Sequence, residues 1–548
     1  MIRPDPSWIE RLFAALVSLL GPGWLGVGPA EEPCTERAWF ADADGDGYGD
    51  GSASVSACEA PTGYVEDAAD CDDGEPAVNP GAFDAPADGL DQDCSGDGAC
   101  DTLTVYGTGS ERLTLATEAE MEGFCASYNA FDGDKLTVKG STITSLEPLG
   151  CLCEVQGSLY VQSSDALTDL DGLDLLTEVS VFLHFSDLNS VTRIDGFPSL
   201  ARVGGGIYIS SNANAEIIDW PDTLVETGTV EFKNNDALSE VSGFSGLDTL
   251  KYLYASYNPL LETISGFEHL SAVTASVSFS YNDSLSSLGG LGALEDCEDL
   301  SLQYNSALPS LGELLSLRTA GEISVSHLDR MASLDLPALE EVEGTLEVAH
   351  MDALEHLELP ATLESVGTLA INSTTALTSV DADHLVSIGR MEILYNFALV
   401  TMDRFASLTT LSEGVWIAFN PELEEISGFD ALTVISKGLT IEENDALTDL
   451  SGFENVTKIT GFQLEISGND ALQNLDGFKR LKRVGDDIRL LDNDALSDVS
   501  GLNAVTTVTG DLIITGNHSL ADADAAALYA EIGDANIDGS VTISDNGG

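Results

Sequence analysis

The sequence predicts an all-β chain wound as a β-solenoid, and three observations carry that prediction. The first is a repeated unit: between Gly438 and Ile459, Leu439 and Ile441 alternate with polar residues, Asn444 follows, and Leu447, Leu450, Phe453, Val456 and Ile459 return every third residue. This is neither a ~3.6-residue helical stripe nor a long two-residue alternation, so it reads as one coil with a short strand and tight corners. The second is spacing. With the second strand apolar as marker, the series runs Val138, Val161, Leu183, Ile209, Phe232, Ala255, Phe279, Leu302, Val325, Val348, Ile371, Ile393, Ile417, Ile441, Ile466, Leu490, Ile514 and Ile543, mostly 23 to 25 residues apart. That makes about 18 coils and, with strands ~4.8 Å apart, a rod of roughly 80 to 90 Å. The third is an asparagine after the strand, at Asn212, Asn235, Asn258, Asn282, Asn305, Asn396, Asn420, Asn444, Asn469, Asn493 and Asn517. An amide both donates and accepts, so stacked asparagines can tie coil to coil.

Taken in order, Met1 to Ala30 reads as an export signal: Arg3 and Arg11 flank its start, Leu12 to Leu20 is an apolar run, and Gly28, Pro29 and Ala30 offer a cleavage site. No later apolar run reaches membrane length, so no membrane span is expected in the mature chain. Of nine cysteines, all but Cys297 lie before the first full coils, at Cys34, Cys58, Cys71, Cys94, Cys100, Cys125, Cys151 and Cys153. That crowding fits an oxidising compartment and a secreted or cell-surface protein. Cys297 stands where neighbouring coils have Val or Ile and reads as core. The 93 acidic residues against 21 basic ones, a net charge of -72, repel nucleic acid and favour divalent cations or cationic partners.

Residues 31–101 are rich in Asp and Gly and too poor in apolar residues to build a core alone. Asp42, Asp44, Asp46 and Asp50 take loop positions 1, 3, 5 and 9 of a calcium loop, with Gly47 at 6 and the Tyr48 carbonyl at 7. The twelfth position is Ala53, so the missing ligand must come from Asp70, Asp72 and Asp73 or from Asp88, Asp91, Asp93 and Asp97. Trp39 to Asp50, Pro61 to Val65, Asp70 to Asp73, Val78 to Ala82 and Asp91 to Cys94 together resemble a bacterial metal-binding repeat of extracellular proteins, named after a copper-binding surface protein. The family name implies copper. Oxygen-only ligands without His suit calcium better. Asp84-Ala85-Pro86 departs from the family pattern, so the resemblance leaves Cys94 to pair with Cys34 or Cys100.

Residues 102–135 are expected to cap the solenoid, with strands at Leu103 to Val105 and Leu113 to Leu115, a short helix opened by Thr117 and Glu120, and Cys125 placed to join Cys151 or Cys153. Coils then fill 136–548, and Ala523 to Ile532 reads as a second capping helix before a last strand at Val541 and Ile543. The coils from Leu183 to Ile209 and from Ile514 to Ile543 are longer than the rest. The Gly starts at Gly157, Gly344, Gly367 and Gly438, the Asn, and the corners at Val241 to Phe244, Ile264 to Phe267, Ile426 to Phe429 and Leu450 to Phe453 resemble the receptor L-domain family. That resemblance implies a right-handed, leucine-rich-like parallel β-helix.

Two residues past the markers, Tyr257, Tyr281, Tyr304, His327, His350, Tyr395 and Phe419 form a row, with Ser373 interrupting it. Stacked in a solenoid, such a row either stiffens the corner or offers a platform for sugar rings or a protein. Tyr254 and Trp416 fall on the outward side of the strands and favour recognition. No catalytic residues are assigned: no nucleophile, base and orienter come together, and basic residues are too sparse for a polysaccharide lyase or hydrolase. The expected function is a non-enzymatic binding or adhesion protein engaging a protein or glycan at a cell surface. The competing reading is an extracellular polysaccharide-degrading β-helix enzyme.

Overall fold

The computed structural model describes residues 37–80, 82, 91, 94, 100 and 103–547. The signal at Met1 to Ala30, Cys34, Asp88, Asp93 and Asp97 lie outside them. The chain divides into two units, Met1–Asp101 and Thr102–Gly548.

In the first unit, strands β1 (Arg37–Ala41), β2 (Asp50–Ala57) and β3 (Tyr64–Val65) form an antiparallel sheet in the order β2-β1-β3. Few of its side chains are buried, as the composition requires. Cys71 and Cys94 are joined by a disulfide across a Cα separation of 5.5 Å. This replaces the expected pairing of Cys94 with Cys34 or Cys100, because the chain after Asp73 returns to lay Cys94 beside Cys71.

The second unit is a parallel β-solenoid of about 17 turns, against the roughly 18 coils the spacing predicts. Its principal face is a 27-stranded sheet, and two smaller four-stranded sheets line another face. Leu115, Val138, Val161, Phe185 and Ile209 lie opposite one another in successive rungs. Phe185, not Leu183, therefore occupies the marker row; Leu183 faces Leu159. In Phe182-Leu183-His184-Phe185 either apolar pair satisfies the alternation, and only pairing with the neighbouring coils sets the register. With Phe185 as marker, that coil has ordinary length.

Strands Val105–Gly107 and Arg112–Leu115 pair in parallel with Ala130–Val138 and so already belong to the sheet. Between them and the first full coil, helix α1 (Glu118–Cys125) starts at Thr117, whose side chain accepts the Glu120 N–H. Glu120 in turn accepts the Ala116 N–H at 2.6 Å, so both sides of the helix start are satisfied. Cys125 is bonded to Cys151. At the other end, helix α2 (Asp522–Ile532) lengthens the last coil before Val541–Ser544 adds to Leu512–Thr515.

Inside the coils the apolar rows are sealed from water: Leu447, Phe453, Val456 and Ile459 are 0% exposed. Burial at this density supplies the folding drive, at about 1.5–3 kcal/mol for each large side chain. Phenylalanines stack from coil to coil, Phe429 on Phe453 and Phe453 on Phe478, each at 5.6 Å. Cys297 sits in this core between Val273 and Ala320, and burial pushes its thiol up to about 11.

From Ser163 onward the coils turn this corner in the same way. The residue before the asparagine adopts a left-handed backbone, at φ 56° for Tyr257, 60° for Tyr395 and 52° for Glu443, although most of these residues are not glycine. That conformation costs an L-residue roughly 1–2 kcal/mol. The asparagine behind it offsets the cost. Asn444 donates to Ile417 O at 3.1 Å and to Asn469 Oδ1 at 3.2 Å, while its own Oδ1 accepts the Asn420 N–H at 3.2 Å. The ladder runs from Asn212 to Asn305 and again from Asn396 to Asn546. Between them Leu328, Met351 and Thr374 take the position.

Replacing Asn444 by Ala leaves buried corner groups unpaired, and urea unfolding should show a loss of about 1–3 kcal/mol. Unchanged stability in that variant would remove the ladder from the account of the fold.

Candidate metal centre and binding faces

The loop after β1 is built from consecutive Asx turns. Asp42 Oδ1 accepts the Gly45 N–H at 2.7 Å, Asp44 Oδ1 the Asp46 N–H at 3.2 Å, and Asp46 Oδ1 the Tyr48 N–H at 2.9 Å. Gly45 and Gly47, at φ 87° and 101°, permit the left-handed steps between them. A second acidic segment closes on the first: Asp70 Oδ1 accepts the Asp72 N–H at 2.8 Å, and Asp73 Oδ1 accepts the Ala43 N–H at 2.7 Å.

One oxygen of each carboxylate is thus spent on the backbone. The other oxygens of Asp44, Asp46 and Asp70 are buried and have no hydrogen-bond partner. Carboxylate oxygens of Asp42, Asp44 and Asp73 lie within 4.8 Å of one another, as do those of Asp44, Asp46 and Asp70, so Asp44 belongs to both groups. Burial pushes the Asp70 carboxyl above its ordinary value, and the charges of Asp46, Asp44 and Asp73 push it the same way. The one basic residue of the segment, Arg37, is paired with Glu66 at 2.8 Å. Crowded, unpartnered carboxylate oxygens with no cationic side chain fit a hard cation that collects oxygen ligands. When bound, such an ion would neutralise and cross-link the two acidic segments.

The remaining predicted ligands are placed differently. Asp50 turns to Ser52, accepting from its N–H at 2.7 Å and its hydroxyl at 2.8 Å, which holds its carboxyl below the usual range. Asp72 Oδ1 faces the Gly74 N–H. Asp91 lies by the Cys71–Cys94 disulfide, its carbonyl 3.6 Å from Cys71 Sγ. Asp93 is outside the described residues.

On the solenoid, the corner row is brought together as expected. Ring centroids are 4.6 Å apart for Tyr257 and Tyr281, 4.5 Å for Tyr281 and Tyr304, 4.0 Å for Tyr304 and His327, and 4.5 Å for His327 and His350. Ser373 breaks the stack, and Tyr395 and Phe419 resume it at 4.7 Å. Because the rings are stacked on one another, the column shows solvent its edges and hydroxyls rather than ring faces. Burial and the neighbouring His350 hold His327 below its usual pKa, which suits a neutral stacked imidazole.

Tyr254 stands on the outward side of the principal sheet, between Glu231 and Ser278. Trp416 stands between Glu392 and Thr440 on the same side, 41% exposed. At the other end of this face lies a cluster the sequence pattern did not single out: Lys135 Nζ sits 3.3 Å over the Tyr160 ring, which meets His184, which meets Tyr208. The common outward register of Tyr160, His184 and Tyr208 was the available signal, and the misplaced marker at Leu183 hid it.

Residues 70–99 match the family model described as "Putative metal-binding motif", of the copper-binding MopE type. The loop from Asp42 to Asp50 precedes that match. No curated protein matches the chain. Among solved structures it is similar to a leucine-rich cell surface protein of Faecalibacterium prausnitzii A2-165, at 12% identity over 70% of this chain and 89% of that one, TM-score 0.19. A leucine-rich repeat protein of Bacteroides ovatus ATCC 8483 matches at 12% identity over 62% and 87%, TM-score 0.14. A TLR13–ssRNA13 complex matches at 13% identity over 75% and 91%, TM-score 0.18. No helix among the described residues is long and apolar enough to cross a membrane.

Asp44→Asn removes charge from both carboxylate groups and should weaken divalent-cation binding to the full chain by about tenfold or more, read by calorimetric titration. Asp70 gains a proton more readily than an ordinary carboxyl in the metal-free chain, so acidification should weaken cation binding. Titrations in buffers of different ionisation enthalpy should show proton release on binding at mildly acidic pH.

Proposed function

We propose that the protein is a secreted or cell-surface, non-enzymatic binding protein, in which a calcium-stabilised acidic module precedes a β-solenoid that engages a glycan or another protein. The observation that carries this reading is the division of labour within each coil. Residues fixed by the repeat are buried in the core or tied into the corner, whereas the outward row varies along the solenoid apart from a run of Ser278, Ser301 and Ser324. Tyr208, Glu231, Tyr254 and Ser278 follow one another in register, as do Glu347, Ala370, Glu392 and Trp416. A rigid scaffold with a variable face suits recognition. The disulfides support an extracellular site of action.

Calcium is the favoured ion because every clustered ligand is a carboxylate oxygen. Copper prefers imidazole or thiolate, and Cys71 and Cys94, the sulfurs near this cluster, are oxidised to a disulfide.

Two experiments on the full chain test the reading. Calcium should raise the thermal unfolding temperature, with EDTA reversing the gain; a tighter, stoichiometric response to Cu(II) would overturn the ion assignment. Labelled protein should bind intact cells saturably and release no reducing ends from polysaccharides supplied with calcium. Sustained turnover, or no saturable binding to any cell surface, would overturn the function.

A further inference from the structure

Two depressions on the outer side of the principal sheet join into one groove. The first, about 510 Å³, is lined by Arg390, Glu392, Trp416, Lys437, Phe462 and Gln463. The second, about 420 Å³, shares Arg390 and Glu392 and continues past Asn372 and Glu347 to Glu322. The groove thus crosses consecutive coils and runs along the stacking direction. Its depth at one end has a backbone cause: Gly414 and Gly438 adopt φ 116° and 106° and offer no side chain to fill the floor. A Cβ on Gly438 would come within 3.0 Å of the Phe462 side chain. Trp416 and Phe462 stand out from this floor, 41% and 52% exposed. The Glu442 carboxyl beside Trp416 is raised above its ordinary value by burial and by Glu465, with the indole opposing the shift.

The cations in the groove are already matched. Arg390 pairs with Glu392 at 2.9 Å and Lys437 with Glu413 at 3.1 Å, so neither cation is available to an anionic ligand. What remains is rich in acceptors: Glu322, Glu347 and the Asn372 Oδ1, which is buried without a partner. A ligand that fits must donate hydroxyls, carry no negative charge and present an apolar ring face to Trp416. It must also be long enough to cross successive rungs ~4.8 Å apart, as an extended polymer is. A protein partner is less well suited, since a stable protein interface buries about 800 Å² per partner around an apolar centre and here the two rings are set among ion pairs.

We propose that this groove binds a linear, uncharged polysaccharide lying along the solenoid axis, with one sugar ring stacked on Trp416. The proposal rests on the reading of the chain as a binding protein and names the site and ligand class. The test uses the full chain in native affinity electrophoresis with laminarin, mannan, xylan and hydroxyethyl cellulose as neutral probes and polygalacturonate as the acidic one. At least one neutral polymer should retard the protein, and Trp416→Ala should weaken that binding by about tenfold. Val225→Ala, at an exposed side chain that lines neither depression, should leave it unchanged. Binding that survives Trp416→Ala, a preference for polygalacturonate, or no retardation by any neutral probe would overturn the proposal. If cell binding stays saturable while every neutral probe fails, the groove assignment falls and the surface-binding reading stands; if cell binding also fails, both fall.

Discussion

The solenoid depends on the corner amide. From Ser163 onward every coil turns this corner through a residue in a left-handed conformation that most side chains avoid. Where an asparagine stands behind that residue it offsets the cost, because one buried amide satisfies a carbonyl of the preceding coil and the next asparagine together. Once the corner is fixed, the strand that leads into it is in register with its neighbours. The apolar rows then follow without further instruction. A repeated sheet of this length is possible because each of these devices acts only between adjacent coils.

The first unit is held by a different kind of force. It has no apolar interior to speak of, and its sheet is short. Two acidic segments converge, and their inner oxygens face one another with nothing of opposite sign between them. A protein does not gather like charges without a counter-charge. One part of the chain is therefore organised by exclusion of water, whereas the other gathers carboxylate oxygens in the arrangement a cation site would need.

Much of this was legible before any coordinates. Coil periodicity, the Asn row, both terminal helices and the aromatic column follow from side chains that recur at fixed intervals, and recurrence survives projection onto one dimension. The register at Phe185 did not, because two alternating apolar pairs fit one strand equally well and only the neighbouring coils choose between them. In the acidic loop, Asp42, Asp44 and Asp46 were evident from spacing. The turning of Asp50 toward Ser52, and the arrival of Asp70 and Asp73, depend on how a distant segment folds back. The groove was invisible for the same reason. Arg390, Trp416 and Phe462 come from separate coils and do not occupy one repeated position, so no periodic pattern connects them.

The interval from Leu328 to Thr374 shows which device can be spared. The corners at Leu328 and Met351 carry no amide and lie beside the stacked His327 and His350 rings, while the Thr374 N–H and hydroxyl both donate to Asn396 Oδ1 and so rejoin the second run. The strand ladder passes through the same coils without a break, from Thr319–Ser326 to Glu341–Ala349, Ser365–Asn372 and Ser387–Leu394. An interruption of the amide column is therefore bridged by the sheet, so the two runs are segments of one continuous array rather than separate blocks.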